Sequence, residues 1–146
     1  MAPSSRTKVS FFYDNTNPSL SNRTRLKKFI ESIFRREGVK LQSLNYIFCT
    51  DQRLLEINRS FLNHDYYTDI ITFDLSERET GIVGEIYISI DRIRENRIQH
   101  QTTFKDEIHR VIFHGALHLC GFQDKSAKSR AVMTTKENEY LLMYKK

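Results

Sequence analysis

Residues 114–124 read HGALHLCGFQD and contain the most informative spacing in the chain. His114 and His118 are four residues apart, which on an α-helix separates them by about 40° of rotation and roughly 6 Å of rise. Gly121 permits the left-handed turn that ends a helix, so the chain can double back and bring Asp124 toward both imidazoles. The stretch therefore predicts a helix with a metal site at its C-terminal end.

Two imidazole nitrogens and one carboxylate oxygen are typical of a catalytic zinc site, in which three protein ligands leave a fourth position for water. Zinc lowers the pKa of water enough to make a nucleophile near neutral pH. We therefore predict one zinc ion per chain, held by His114, His118 and Asp124 and used for hydrolysis. The alternative is that the histidines are ordinary polar residues and Asp124 caps a helix that begins near Ser126. Cys120 points some 200° around the helix from His118, so we interpret it as a buried apolar residue rather than a ligand.

The same spacing occurs in the metzincin proteases, whose signature is HExxHxxGxxH and whose glutamate is the general base. Gly115 occupies the position of that glutamate, and a glycine cannot accept a proton from the attacking water. The motif therefore predicts a metzincin-like zinc scaffold without the protease base. An atypical metalloprotease stays open as an alternative.

The sequence on both sides of this stretch predicts four strands and five helices. The strands are VSFFYD, SLNYIFCT, DIITFDL and VGEIYISI. The helices contain Leu26 to Phe34 before Gly38, the segment capped by Thr50 or Asp51, Asp91 to about His100, Thr103 to Gly121, and the segment from about Ser126. The order βαβαββααα predicts an α+β fold, a single layer sandwich of a four-stranded sheet and packed helices in which the metal-binding helix is central. Strand order cannot be read from the sequence.

Composition indicates an ordinary globular protein, with 146 residues, 39% of them hydrophobic and 28% charged. We expect one domain over residues 1–146. The first fifteen residues lack a secretory signal and no segment is apolar enough to span a membrane, so we expect a cytoplasmic protein. Cys49 and Cys120 show no paired spacing and are expected to be reduced thiols.

The net charge of +5 favours a polyanionic partner. Basic residues cluster in DRIRENR (91–97) before the metal motif and in KSAKSR (125–130) after it. This arrangement indicates an RNA path across the metal site. A solvated helix face is the alternative.

HGALHLCGFQD resembles the signature HGxLHLxGYDH of the YbeY family, bacterial rRNA maturation factors that are metal-dependent endoribonucleases. INRSFLNHDYYTDIITF and VGEIYIS resemble two further segments of that family, so the resemblance spans most of the chain. The chain departs from the family at Asp124, which replaces a histidine, at Leu62, which replaces an arginine, and at Glu85, which replaces an aspartate. Asp124 still supplies a good zinc ligand, although a harder one.

The resemblance implies a zinc-dependent, single-strand-specific endoribonuclease that matures the 3′ end of small-subunit ribosomal RNA and acts in ribosome quality control. It also implies RNA and ribosomal subunits as partners. A non-catalytic, zinc-containing RNA-binding or ribosome-assembly factor is the alternative that Leu62 keeps open.

Several residues outside the motif receive more specific predictions. Arg59 lies one helical turn before Leu62, and we predict that it replaces the missing arginine in stabilising the phosphoryl transition state, a solvated helix arginine being the alternative. Glu107 is about 10 Å along the helix from His114, so it should support the site or complement the helix dipole rather than bind metal. We expect His100 and His109 to be ordinary polar residues.

The segment before the third strand receives weaker predictions. Thr68 and Asp69 either shape the floor of the cleft or form a turn. His64 contacts RNA or solvent.

Overall fold

A computed structural model describes residues 7–77 and 79–146, and its elements follow the predicted order. They are β1 (Val9–Tyr13), α1 (Arg23–Arg36), β2 (Leu41–Cys49), α2 (Asp51–Leu62), β3 (Ile70–Asp74), β4 (Ile82–Ser89), α3 (Ile90–Gln99), α4 (Phe104–Leu119) and α5 (Ala127–Lys145). The predicted α+β class and the order βαβαββααα are confirmed. Residues 1–6, part of the stretch in which we noted no secretory signal, lie outside the described residues.

The four strands form one mixed sheet in the order β1-β2-β4-β3. β1, β2 and β4 are parallel, with Tyr46 of β2 opposite Ile86 of β4, whereas β3 runs antiparallel to β4, with Ile71 opposite Tyr87. β3 is therefore an edge strand. Its free edge is available to form one wall of a cleft.

Alternation along the strands gives the sheet two apolar faces, and both are covered. On one face, buried residues such as Phe48 and Ile88 pack against α1 and α4, and α5 packs against those helices. On the other face, Leu54 and Ile57 of α2 form a smaller cluster with Ile71. This two-sided packing is the predicted layer sandwich.

α4 lies against the sheet more closely than an ordinary helix can. A Cβ atom on Gly115 would come within 2.8 Å of the Ile86 Cδ1 atom, so the glycine permits the close approach. The buried hydroxyl of Tyr46 donates a hydrogen bond of 2.8 Å to the Ile112 carbonyl. α4 is thus the predicted central helix, and the contacts of Ile112 and Gly115 fix its position on the sheet.

The ends of α4 are set by local interactions. The side chain of Thr103 accepts a hydrogen bond from the Asp106 N–H at 3.0 Å and caps the first turn. At the other end, Gly121 has a φ of 107° and the Phe122 N–H donates to the Leu117 carbonyl at 3.1 Å, as in a Schellman motif. The predicted reversal at Gly121 is confirmed. In the part of the chain that the structure describes, no helix has the length and apolar character needed to cross a bilayer.

Candidate metal centre

The structure brings His114, His118 and Asp124 together at the C-terminal end of α4. The Nε2 atom of His114 lies 3.3 Å from Asp124 Oδ2, and the Nε2 atom of His118 lies 3.5 Å from Asp124 Oδ1. One ligand atom from each residue falls within 4.8 Å of the other two. Two ring nitrogens and a carboxylate at this spacing match the donor set that zinc and similar ions prefer. The described residues therefore contain a group that fits one metal ion, at the predicted positions.

Glu137 of α5 orients His114 from behind. Its Oε2 atom lies 2.7 Å from His114 Nδ1, and its Oε1 atom accepts a hydrogen bond of 2.8 Å from Arg110. The hydrogen bond places the imidazole proton on Nδ1 and leaves the Nε2 lone pair directed toward Asp124. A carboxylate in this position is the usual partner of a metal-binding histidine.

Sequence reasoning missed Glu137, because it lies 23 residues after His114 and belongs to no recognisable motif. One signal was present. Glu137 sits four residues after Met133 and three before Tyr140, on the apolar stripe of α5, and all three side chains are buried. A carboxylate at a core position needs a partner, which points to a role in the site.

The surroundings of His114 favour a positive charge. Burial lowers the pKa of its imidazole, but the hydrogen bond and charge of Glu137, together with Asp124 and Asp69, outweigh burial and raise the pKa above its ordinary value. The position therefore attracts either a proton or a cation at Nε2.

An open cavity of about 690 Å³ lies beside the three residues. Residues of α4, β3 and the loop before β3 line it, together with Glu137 of α5. His64, Thr68 and Asp69 line it, as does Lys125 of the second basic segment. This placement agrees with the prediction that Thr68 and Asp69 shape the cleft.

The charge of the cavity wall is negative. Among the described lining residues there are two cations, Arg110 and Lys125, and five carboxylates, namely Asp69, Asp74, Glu107, Asp124 and Glu137. Three formal negative charges thus remain when the histidines are neutral. Such a wall attracts a metal cation and repels a bare phosphate.

Arg59 is placed away from the cavity. It is exposed, forms an ion pair with Asp65, and is absent from the residues that line the cavity, whereas Leu62 lines it. Its predicted role in the transition state stays a prediction.

Glu107 and the two histidines outside the motif occupy different environments. Glu107 is buried in the first turn of α4, lines the cavity, and lies 3.2 Å from His100 Nδ1, which agrees with a supporting role. His100 is thus part of the cavity wall. The expectation that His109 is an ordinary polar residue is wrong, because it is buried and stacks on Phe113. The apolar residues around it on the helix gave the signal for this burial.

Two further predictions can be compared with the structure. Cys120 packs partly buried against the core, where burial and the nearby Glu37 raise the pKa of its thiol to about 12, and the group of described residues that fits a metal ion does not include it. Arg92 of the first basic segment forms a bidentate ion pair with Asp51 and lies over the ring of Tyr67. At least this arginine has a structural role rather than a free charge for RNA.

Known proteins similar to this chain agree with the resemblance. A family model described as Endoribonuclease YbeY matches residues 12–145. A protein named Endoribonuclease YbeY from Cytophaga hutchinsonii is 46% identical over 137 residues, which cover 94% of this chain and 96% of that protein. Its namesake from Porphyromonas gingivalis (strain ATCC 33277) is 42% identical over 93% of this chain and 89% of its own. The solution structure of TM1509 from Thermotoga maritima superposes with a TM-score of 0.67 at 29% identity, over 93% of this chain and 88% of that one.

Proposed function

The chain belongs to the YbeY family of endoribonucleases, and from this premise we propose that it hydrolyses phosphodiester bonds of single-stranded RNA at the His114–His118–Asp124 centre. We propose zinc as the metal, one ion per chain. The substrate we propose is small-subunit ribosomal RNA, cut during maturation of its 3′ end and during ribosome quality control. Ribosomal subunits are the expected partners and the cytoplasm the expected location.

One observation carries the proposal. Two Nε2 atoms converge on one carboxylate at the edge of an open cavity, and a buried glutamate holds the first histidine from behind. A structural zinc site is closed by four protein ligands, whereas a catalytic one keeps a position open to the cavity. The donor set and the opening support a catalytic centre.

Zinc, when bound, supplies Lewis acidity toward a phosphoryl oxygen and acidifies water. The residues of the chain contribute by orienting the ligands and by adding charge at the site. Glu137 keeps the His114 ring in one orientation and one tautomer, and Arg110 in turn holds Glu137. Asp124 adds a negative charge that strengthens cation binding.

The protein base of a metzincin has no counterpart here. Gly115 faces the sheet rather than the cavity, and even a Cβ atom there would press on Ile86. The proton released during hydrolysis therefore leaves either to solvent through the open cavity or to another side chain. Together with family membership, this packing argues against the metalloprotease alternative.

The non-catalytic alternative rests on Leu62. This residue lines the cavity and brings no charge to a phosphoryl group, although the family usually has an arginine there. Metal analysis and RNA cleavage separate the two functions.

The test compares the parent with His114→Ala, using His109→Ala as the matched control on the same helix. Elemental analysis should give about one zinc per chain for the parent and the control. Both should cleave single-stranded ribosomal RNA with zinc present, and His114→Ala should lose metal and cleavage together. If the parent and the control bind zinc but none of the three proteins cleaves RNA, an assembly factor would be favoured. A parent protein that binds no metal would refute the proposed centre.

A further inference from the structure

The loop between α2 and β3 presents two aromatic side chains to the cavity. His64 and Tyr66 both line it, as do His114 and His118 of α4. Tyr66 is 56% exposed, which leaves much of a large ring in contact with water. Core packing therefore does not explain its place.

The loop is held in position before any ligand arrives. The buried side chain of Asn58 donates a hydrogen bond of 2.9 Å to the Tyr66 carbonyl, and the His64 N–H donates to the Asn58 carbonyl at 3.1 Å. Asn63 takes up the turn with a φ of 55°. Little conformational entropy is therefore lost in ordering the loop when a ligand binds to these rings.

The His64 and Tyr66 rings stack on each other. Their planes differ by 20° and their centroids are 5.1 Å apart, while the Tyr66 hydroxyl lies 2.9 Å from His64 Nδ1. This internal contact fixes both side chains in one arrangement. The result is a stacked pair of rings at the cavity, with much of the Tyr66 ring still exposed, and we call this pair the His64–Tyr66 platform.

The charge of the cavity restricts what the platform can bind. The wall carries more carboxylates than cations, so apart from a bound metal it offers little attraction to phosphates. An uncharged, planar group avoids this repulsion. Nucleobases are such groups, and proteins that bind single strands commonly stack them on aromatic side chains.

We propose that the His64–Tyr66 platform is a base-stacking subsite, which receives an unpaired nucleobase next to the phosphate that is cut. The inference rests on the proposed function, because it places RNA in the cavity. It also gives a reason for single-strand specificity. A base within a duplex is already stacked on its neighbours and must be turned out at a cost before it reaches the platform.

The chain offers a matched control in the next residue. Tyr67 is 55% exposed, about as much as Tyr66, but it does not line the cavity and instead packs beneath Arg92, whose guanidinium carbon is 5.4 Å from the ring centroid. Removing either ring takes the same atoms from the same loop. Only one of them belongs to the platform.

The experiment measures binding of short single-stranded RNAs to zinc-loaded protein by fluorescence anisotropy, before cleavage sets in. Tyr66→Ala should weaken binding about tenfold, a ratio that corresponds to about 1.4 kcal/mol. Tyr67→Ala should bind like the parent, whereas Tyr66→Phe, which keeps the ring but loses the hydroxyl contact with His64, should bind more tightly than Tyr66→Ala. Tyr66→Leu keeps apolar bulk without a ring and should resemble Tyr66→Ala. An unchanged zinc content in each variant shows that the metal centre is intact.

A second set of RNAs, each with one abasic nucleotide, locates the stacked base. At one position, removal of the base should weaken binding to the parent about as much as Tyr66→Ala does, with no further loss when the two changes are combined. Parent-like binding by Tyr66→Ala, or additive losses at every abasic position, would overturn the subsite. Failure of the proposed function is a separate result, since it appears as absent cleavage by the parent while the binding comparison is still readable.

Discussion

The two halves of α4 hold histidine in opposite environments. In the first half, His109 is buried beside Phe113 and Tyr144, and among the described residues no carboxylate forms an ion pair with its ring. Burial lowers the pKa of His109 to about 4. In the second half, His114 contacts Glu137 and lies beside Asp124, and its pKa is raised.

The difference shows that the helix alone does not decide what a histidine does. Both residues are partly or fully buried on the same element, so burial by itself would make both neutral core residues. A carboxylate from α5, brought in by tertiary packing, turns one of them into a cation-binding group. Changes to that carboxylate, to the core histidine and to an exposed arginine should therefore have effects of decreasing size.

Glu137→Gln should have the largest effect. The amide keeps the shape of the side chain but removes the charge that orients His114 and favours a cation, so we expect zinc affinity to fall about 10- to 100-fold. Competition with a chelator measures this change. Glu139→Gln on the exposed side of α5 is the control. Equal zinc affinity in both variants would show that Glu137 does not support the metal centre.

His109 should make the fold sensitive to acid. Its folded pKa of about 4 lies below the ordinary value of 6.5, so between these values the unfolded chain binds more protons and stability falls as the pH falls. We expect His109 to account for a loss of about 2 kcal/mol in the free energy of unfolding between about pH 7 and about pH 5. Chemical denaturation of the parent and His109→Phe at both pH values measures it. The same pH dependence in both proteins would contradict this assignment.

Arg59→Ala should have the smallest effect. Its ion pair with Asp65 is exposed, so stability should change by less than about 1 kcal/mol. Cleavage should fall by less than about tenfold, because Arg59 reaches the substrate only after leaving Asp65. Asp65→Ala frees the arginine and is the informative partner variant. Cleavage that is unchanged in both would leave Arg59 as a surface residue and refute its predicted role.

The parts of the site that were predicted are the residues that lie together in one short segment of the sequence. His114, His118, Gly121 and Asp124 lie within a single helix end, where helical geometry and one glycine turn determine their arrangement. The elements of the fold were predictable for the same reason, because apolar periodicity is a local property. Their order in the sheet was not, since β4 inserts between β2 and β3 through contacts that no local pattern specifies.

The parts that were missed depend on contacts between distant segments. Glu137 reaches His114 only because α5 packs on α4, and His109 is buried by the same packing against Tyr144. Leu62 and Arg59 show that proximity in sequence also fails to predict which residue lines the cavity. They are three residues apart on α2, yet only Leu62 lines the cavity, whereas Arg59 pairs with Asp65 of the loop that follows.

The position of Glu137 on α5 has a consequence for the newly made chain. Synthesis runs from the N-terminus, so β1 to α4 emerge from the ribosome before α5 does, and domains generally fold as units once their segments are available. Until α5 docks, His114 lacks the Glu137 carboxylate that orients it, and the cavity lacks that lining residue. A nascent chain with both histidines already exposed should therefore bind its metal poorly until α5 has been made and has packed on α4.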